Sequence, residues 1–324
     1  MCSKNSTPFL LLAEARTLSL KDVFTMGEDK AYQLFCELRW PETMGKPVCP
    51  KCGHGEAYNI STRRKFKCKA CHRQFSVTSD TIFASRKLSF TDILGAIAIV
   101  VNSAKGVSAL QLARDLSVQH KTAWVLSHKL RESMAAESWG VILDGTVEVD
   151  GAYFGGHIRP ENVKTSRKDR RLVENQTGKR RAVVVARQRG GRTLTSVHKH
   201  ESDGVETIEN QVKPGTEIHA DEASHWDGLE ARYPTKRINH SEAYSLNGVC
   251  TNQAESFFSR LRKMVQGQHH HVSARYLHAY AAHAAWLEDN RRKDNGTLAR
   301  KVVALGLAHP VSRQWKGYWQ RAQR

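Results

Sequence analysis

Cys49-Pro50-Lys51-Cys52, followed fifteen residues later by Cys68-Lys69-Ala70-Cys71, restricts the fold of this 324-residue chain more than any other stretch. Two C-x2-C knuckles at this spacing offer four thiolates from two tight turns. That is how a structural Zn²⁺ closes a small domain, at Zn–S distances of about 2.3 Å. Between the knuckles, Tyr58-Asn59-Ile60-Ser61 and Lys65-Phe66-Lys67 alternate like ribbon strands, and Gln74-Phe75-Ser76-Val77-Thr78 follows as a third. Of the seven cysteines only Cys2, Cys36 and Cys250 fall outside the set, which suits metal binding in a reducing compartment better than a disulfide framework. The sequence predicts a zinc ribbon over residues 46–85, preceded by a helical lead-in over residues 1–45.

The partner is suggested by charge. Lys and Arg number 50 against 32 Asp and Glu, a formal charge of +18, and such an excess points to a polyanion, nucleic acid first. Arg63, Arg64, Lys65, Lys67, Lys69 and Arg73 put part of that charge on the ribbon. No run of 18 apolar residues and no basic-then-apolar leader is present, so no membrane association or secretion is expected, and the location expected is cytoplasmic. Residues 86–140 turn to helical periodicity. Thr91 to Val101 reads as a buried helix, Ser108 as the N-cap of a short one, and Gln119-His120-Lys121-Thr122 as the start of another. This is the rhythm of a helix-turn-helix-like DNA-binding segment, with a plain helical linker as the alternative.

Three acids then stand in three separate contexts. Thr146-Val147-Glu148-Val149-Asp150-Gly151 is a β-branched strand delivering Asp150 into a glycine-permitted turn. Glu217-Ile218-His219-Ala220-Asp221 is a second strand ending in an acid, and Thr251-Asn252-Gln253-Ala254-Glu255 opens an amphipathic helix carrying a third. Carboxylates from separate rigid elements suit two hard cations, Mg²⁺ or Mn²⁺, roughly 3.5–4 Å apart, as in phosphoryl transfer. Asn252 and Glu255 lie at i,i+3 and share a helix face, so both could reach one metal. Arg262 follows two turns later, placed to meet a phosphate.

Between these acids, residues 157–181 carry nine Lys and Arg against three acids, a loop suited to tracking a phosphate backbone. Ala182 to Arg187 and Thr193 to Val197 read as a hairpin around Arg189-Gly190-Gly191, Val205 to Val212 as a short helix, and Arg237 to His240 as a further strand. Three strands, a helix and a strand, followed by helices, predict an α/β fold, a ribonuclease H-like mixed sheet with flanking helices, over residues 141–296. His269-His270-His271 has no second ligand pair and reads as a loop. Residues 297–324 read as a basic tail with Trp315, Tyr318 and Trp319.

The four-cysteine ribbon combined with Val-Glu-Val-Asp-Gly-Ala-Tyr-Phe-Gly-Gly, Thr-Asn-Gln-Ala-Glu-Ser-Phe-Phe and Trp-Leu-Glu-Asp-Asn-Arg-Arg resembles the bacterial insertion-sequence transposases with an N-terminal zinc ribbon and a DDE-type ribonuclease H-like core. By position the resemblance makes Asp150, Asp221 and Glu255 the metal-holding acids, with Asn252 a rival third ligand and Arg262 the basic residue that follows. It implies double-stranded DNA as partner, both element ends and target, and an oligomer of the chain on that DNA. Around Trp286, where relatives would carry an acid and an arginine, this sequence has His283 and Leu287. That departure keeps a catalytically impaired DNA-binding regulator as an alternative, beside a ribonuclease H-like nuclease or resolvase.

Overall fold

In a computed structural model the chain forms two compact units, Met1–Glu137 with Asn290–Arg324, and Ser138–Asp289. The structure describes residues 7–156, 161–169, 172–175, 177–239, 245 and 248–321. Cys2, His240 and, in the basic loop, Arg159, Arg170 and Arg171 lie outside them. Among the described residues no helix is long and apolar enough to cross a membrane.

The first unit opens with α1 (Leu20–Arg39). A capping box between Ser19 and Asp22 starts it, and it bends at Gly27, whose φ of +77° suits glycine. Three antiparallel strands follow, β1 (Ala57–Ile60), β2 (Lys65–Cys68) and β3 (Gln74–Phe75), the third shorter than the sequence predicts. Phe66 and Phe75 face Trp40 at the end of α1, with ring centroids 5.8 and 6.4 Å from the indole. Next come α2 (Phe90–Asn102), α3 (Ala109–Asp115) and α4 (His120–Ala136). The first two backbone N–H groups of α2 have no intrahelical acceptor, and Glu28 of α1 accepts both, at 3.0 and 2.9 Å. Arg64, at the β1–β2 turn, reaches Glu28 at 3.4 Å and Asp29 at 2.7 Å. One carboxylate thereby joins α1, α2 and the ribbon. Ser108 caps α3 as expected, accepting from the Gln111 N–H at 3.1 Å. The chain turns at Ser117 (φ +52°) into α4, leaving Gln119, His120 and Lys121 exposed.

The second unit is a five-stranded mixed sheet in the order β6-β5-β4-β7-β8. Its strands are β4 (Thr146–Phe154), β5 (Arg181–Gln188), β6 (Thr193–His198), β7 (Glu217–Asp221) and β8 (Thr235–Ile238). Antiparallel pairing joins β4, β5 and β6, while β7 and β8 run parallel to β4. Strand side chains alternate between faces, and the two cores follow that period. Val147, Val149, Val184, Ala186, Ile218 and Ala220 pack toward α5 (Val205–Gln211) and a 3₁₀ turn at Ser224–Ala231. Ala152, Phe154, Val183 and Val185 pack toward α6 (Asn252–Lys263) and α7 (Ala274–Asn290). β4 does not stop at Asp150. It pairs with β5 through Phe154↔Arg181, because Ala152 and Phe154 still have a core to enter, and the positive-φ glycines are Gly155 and Gly156.

The chain then returns to the first unit. Much of the stretch read as a tail from Leu298 is α8 (Asn295–Ala308), which packs on α1, α2 and α4 through Val302, Val303 and Leu307. Gly306 is needed there, since a Cβ would lie 2.4 Å from the Phe83 ring. A short α9 (Tyr318–Arg321) follows.

Candidate active site and zinc centre

The cysteine quartet forms from the turns the sequence marks. Cys49 Sγ lies 3.6 Å from Cys71 Sγ and Cys52 Sγ 3.6 Å from Cys68 Sγ. All four sulfurs lie within 4.8 Å of one another. A tetrahedron with Zn–S bonds of about 2.3 Å has edges of about 3.8 Å, so the four thiols fit one zinc ion. The surrounding cations divide. Lys69 pairs with Glu56 (3.0 Å) and Arg73 with Asp80 (2.8 Å), as Arg64 does with α1. Arg63, Lys65 and Lys67 are exposed.

The acids converge through sheet register. β4 and β7 pair Thr146↔Glu217, Val147↔Ile218 and Glu148↔His219, and two more residues along that register set Asp150 beside Asp221. Asp150 shares the even-numbered face of β4 with Ala152 and Phe154, the face that α6 covers, and Glu255 sits in the first turn of α6. Burial pushes the Asp150 carboxyl up to about 7. The Gly151 N–H, 2.7 Å from Oδ1, opposes the rise, and the charges of Asp221, Glu255 and Glu201 add to it. Among the described residues the cysteine quartet is the only group of three or more His, Cys, Asp or Glu side chains whose donor atoms gather within 4.8 Å; Asp150, Asp221 and Glu255 share one electrostatic field without reaching that spacing. Asn252 is exposed at the first residue of α6. Arg262, exposed in the last turn, lies about 10 Å along the helix from Glu255 at 1.5 Å per residue.

The raised pKa carries a sign. Asp150 binds its proton more tightly folded than unfolded, so its contribution is present below the ordinary value of 3.8 and is lost as pH rises through about 7. In buffer without Mg²⁺ or Mn²⁺, Asp150→Asn should melt higher than wild type at pH 8 and close to it at pH 4. Added Mg²⁺ at pH 8 should raise the wild type alone. A melting difference that does not vary with pH would mean that Asp150 is not crowded in solution.

Two contributors have no sequence signature. Glu201, just after β6, lies against Gly151, where a Cβ would come within 2.6 Å of its Cγ. His225 Nε2 is 3.4 Å from its Oε2. Burial raises the Glu201 carboxyl first, His225 and Arg180 oppose the rise, and Asp221 adds to it, so four carboxylates share one field. The second is Glu148, fully buried two residues before Asp150 on the same face. Its Oε2 accepts the second and third N–H groups of α6, from Gln253 (2.7 Å) and Ala254 (3.2 Å). Its Oε1 accepts from Arg189 Nε (2.8 Å). The same guanidinium reaches His219 Nδ1 (2.9 Å) and the Gly248 and Cys250 carbonyls (3.1 Å each). Strand β4, strand β7 and the start of α6 are tied at one point.

The α7 positions that depart from the resemblance are interior. His283 is buried and Leu287 packs on the α6–α7 core. The acids of α7 serve the sheet: Glu288 pairs with Arg187 (2.9 Å) and Arg260, and Asp289 accepts from the Thr193 hydroxyl (2.7 Å). In the triple-histidine stretch, His269 packs edge-on against Tyr280 at 4.7 Å.

Residues 142–289 match the ISXO2-like transposase domain, and residues 26–74 match the transposase zinc-ribbon domain. A search of curated proteins finds no match.

Proposed function

We propose, from the premise that this chain belongs to the ISXO2-like transposases, that it binds the terminal inverted repeats of its element and cuts and rejoins DNA at the Asp150–Asp221–Glu255 site. The observation carrying this reading is the shared register of β4 and β7, which sets Asp150 and Asp221 side by side beneath the helix that bears Glu255. These three carboxylates would hold two divalent cations, Mg²⁺ or Mn²⁺, with Asn252 one turn earlier as a further oxygen donor. When bound, such ions supply positive charge against the charge developing on the attacking and leaving oxygens of a phosphodiester. The chain's own contribution is placement. The sheet fixes two acids, Glu148 fixes the helix carrying the third, and Arg262 contacts the phosphate backbone beyond the scissile bond. Water attacks first, freeing a 3′-hydroxyl, and that hydroxyl then attacks a target phosphodiester in line. The ribbon and the exposed start of α4 hold the duplex ends, and an oligomer of the chain brings two ends together.

The test is a labelled duplex carrying the element's own end, incubated with Mg²⁺ and either wild type or Asp150→Ala. Cut and joined products from the wild type alone, with duplex binding kept by the variant, are the expected result. Tight binding without products from either protein would replace this reading with the regulator, and cutting without joining would replace it with a nuclease.

A further inference from the structure

The first unit contains a cavity of about 750 Å³ that the reading above does not use. Its wall is built from the segment after the ribbon, the start of α4 and the stretch after α8. The described lining carries six Lys and Arg against one acid, Asp80, which already holds Arg73 at 2.8 Å. No salt bridge is formed by Lys87, Lys121, Lys129 or Lys316 among the described residues, and Lys129 is partly buried with the charge of Glu132 near it. An anion inside would meet four cationic side chains on one wall.

The same wall carries Trp315, Tyr318 and Trp319. Trp315 contacts Tyr318 at 4.9 Å, Tyr318 meets Trp319 edge-on at 5.2 Å, and Trp315 stacks at 4.2 Å on His128, which is buried and does not line the cavity. Lys121 Nζ stands 5.4 Å from the Trp319 ring. The Trp319 indole N–H is shielded from solvent and donates to nothing among the described residues. A ligand matching this wall brings a flat ring, an acceptor for the indole and a negative charge.

We propose that the cavity takes one unpaired nucleotide of a DNA strand, its base stacked on Trp319 and its phosphate held by Lys87, Lys121 and Lys129. Size favours this occupant over a duplex, since the volume falls in the small-ligand range and a base pair with both backbones does not enter it. Position favours DNA over a free nucleotide. Lys121 and Thr122 line the cavity and also open α4, so a duplex held there has its frayed or overhanging end within reach. The proposal rests on the DNA-binding part of the function above and adds to it a preference for unpaired ends.

Fluorescence anisotropy with the full chain tests it on three probes: a short blunt duplex, the same duplex with a single-stranded overhang, and an oligothymidylate. One base stacked on an aromatic ring is worth about tenfold in affinity. The overhang should therefore bind about tenfold tighter than the blunt duplex. Trp319→Ala and Lys129→Met should abolish that preference, and Trp319→Phe should keep most of it, with circular dichroism confirming that each variant is folded. Equal affinity for overhang and blunt end in the wild type overturns the proposal, as does a preference that survives Trp319→Ala. A Trp319→Ala protein that loses blunt and overhang binding by the same factor also overturns it, because the cavity would then serve duplex binding at large. Oligothymidylate binding that needs Trp319, in a protein that ignores the duplex, would uphold the cavity and sink the transposase reading.

Discussion

Cys68→Ser should leave the ribbon unable to hold the zinc ion that its four thiols fit, and should cost it its fold. Strands of four, four and two residues bury little more than Phe66, Phe75 and Trp40. A sheet that small is marginal in water without a further staple. Zinc held by four thiolates contributes about 10–16 kcal/mol in small ribbons and fingers, and nearly all of it counts as folding free energy, since the site does not exist in the unfolded chain. Cys68 lies at the end of β2, and its backbone N–H donates to the Arg73 carbonyl at 3.0 Å, so metal and hairpin fail together. The expected measurements are a zinc content falling to near zero and loss of amide-exchange protection over Ala57–Cys68. Trp40 emission should also shift red as Phe66 and Phe75 leave it. Exchange in β4 and β5, in the other unit, should be unchanged. Protection persisting over β1 and β2 in the metal-free variant would show that the aromatic cluster holds the ribbon alone.

What the sequence made legible had local punctuation. The knuckles announce themselves by cysteine spacing, Ser108 by its position before an apolar run, and Asp150, Asp221 and Glu255 by strand and helix patterns around single acids. Glu201 had no such frame. It stands in His200-Glu201-Ser202-Asp203, a polar stretch that reads as any loop, and becomes part of the acid cluster only because Gly151 leaves room for it across the strand. Strand β4 runs past the turn its sequence predicts for a related reason. Gly151 looks like a turn residue in sequence, yet its value is the missing Cβ, and the strand runs on because Phe154 has a core to enter. α8 was hidden by distance. Its basic residues and Gly306 read as a tail, and only contact with α1, α2 and α4, far away in sequence, makes Val302, Val303 and Leu307 a buried face.

Glu148→Ala should cost the second unit about 3 kcal/mol or more and disable the acid site without touching any of its three carboxylates. Removing one member of a buried ion pair is more damaging than never having had the pair, because the partner's charge stays behind, at roughly 3–5 kcal/mol. Here the partner is Arg189, whose side chain keeps 29% of its exposure and so places the loss toward the lower end of that range. Two N–H groups at the start of α6 would also lose their acceptor. For a unit of this size that loss is a fall in melting temperature of about 10 °C. Glu148→Gln keeps the shape and an acceptor oxygen but not the charge, and should fall between the wild type and the alanine variant. The decisive comparison is made at a temperature where all three proteins are folded. Glu255 is carried on α6, and the only acceptor Glu148 offers that helix lies two residues from Asp150 on the same strand face. On the proposed function, if the contact positions the third acid, Glu148→Ala loses cleavage while still folded, and raising Mg²⁺ restores part of it, because a loosened site would bind cations more weakly. If the contact serves stability alone, the folded variant cleaves like the wild type at ordinary Mg²⁺, and Glu148 has no part in holding the site.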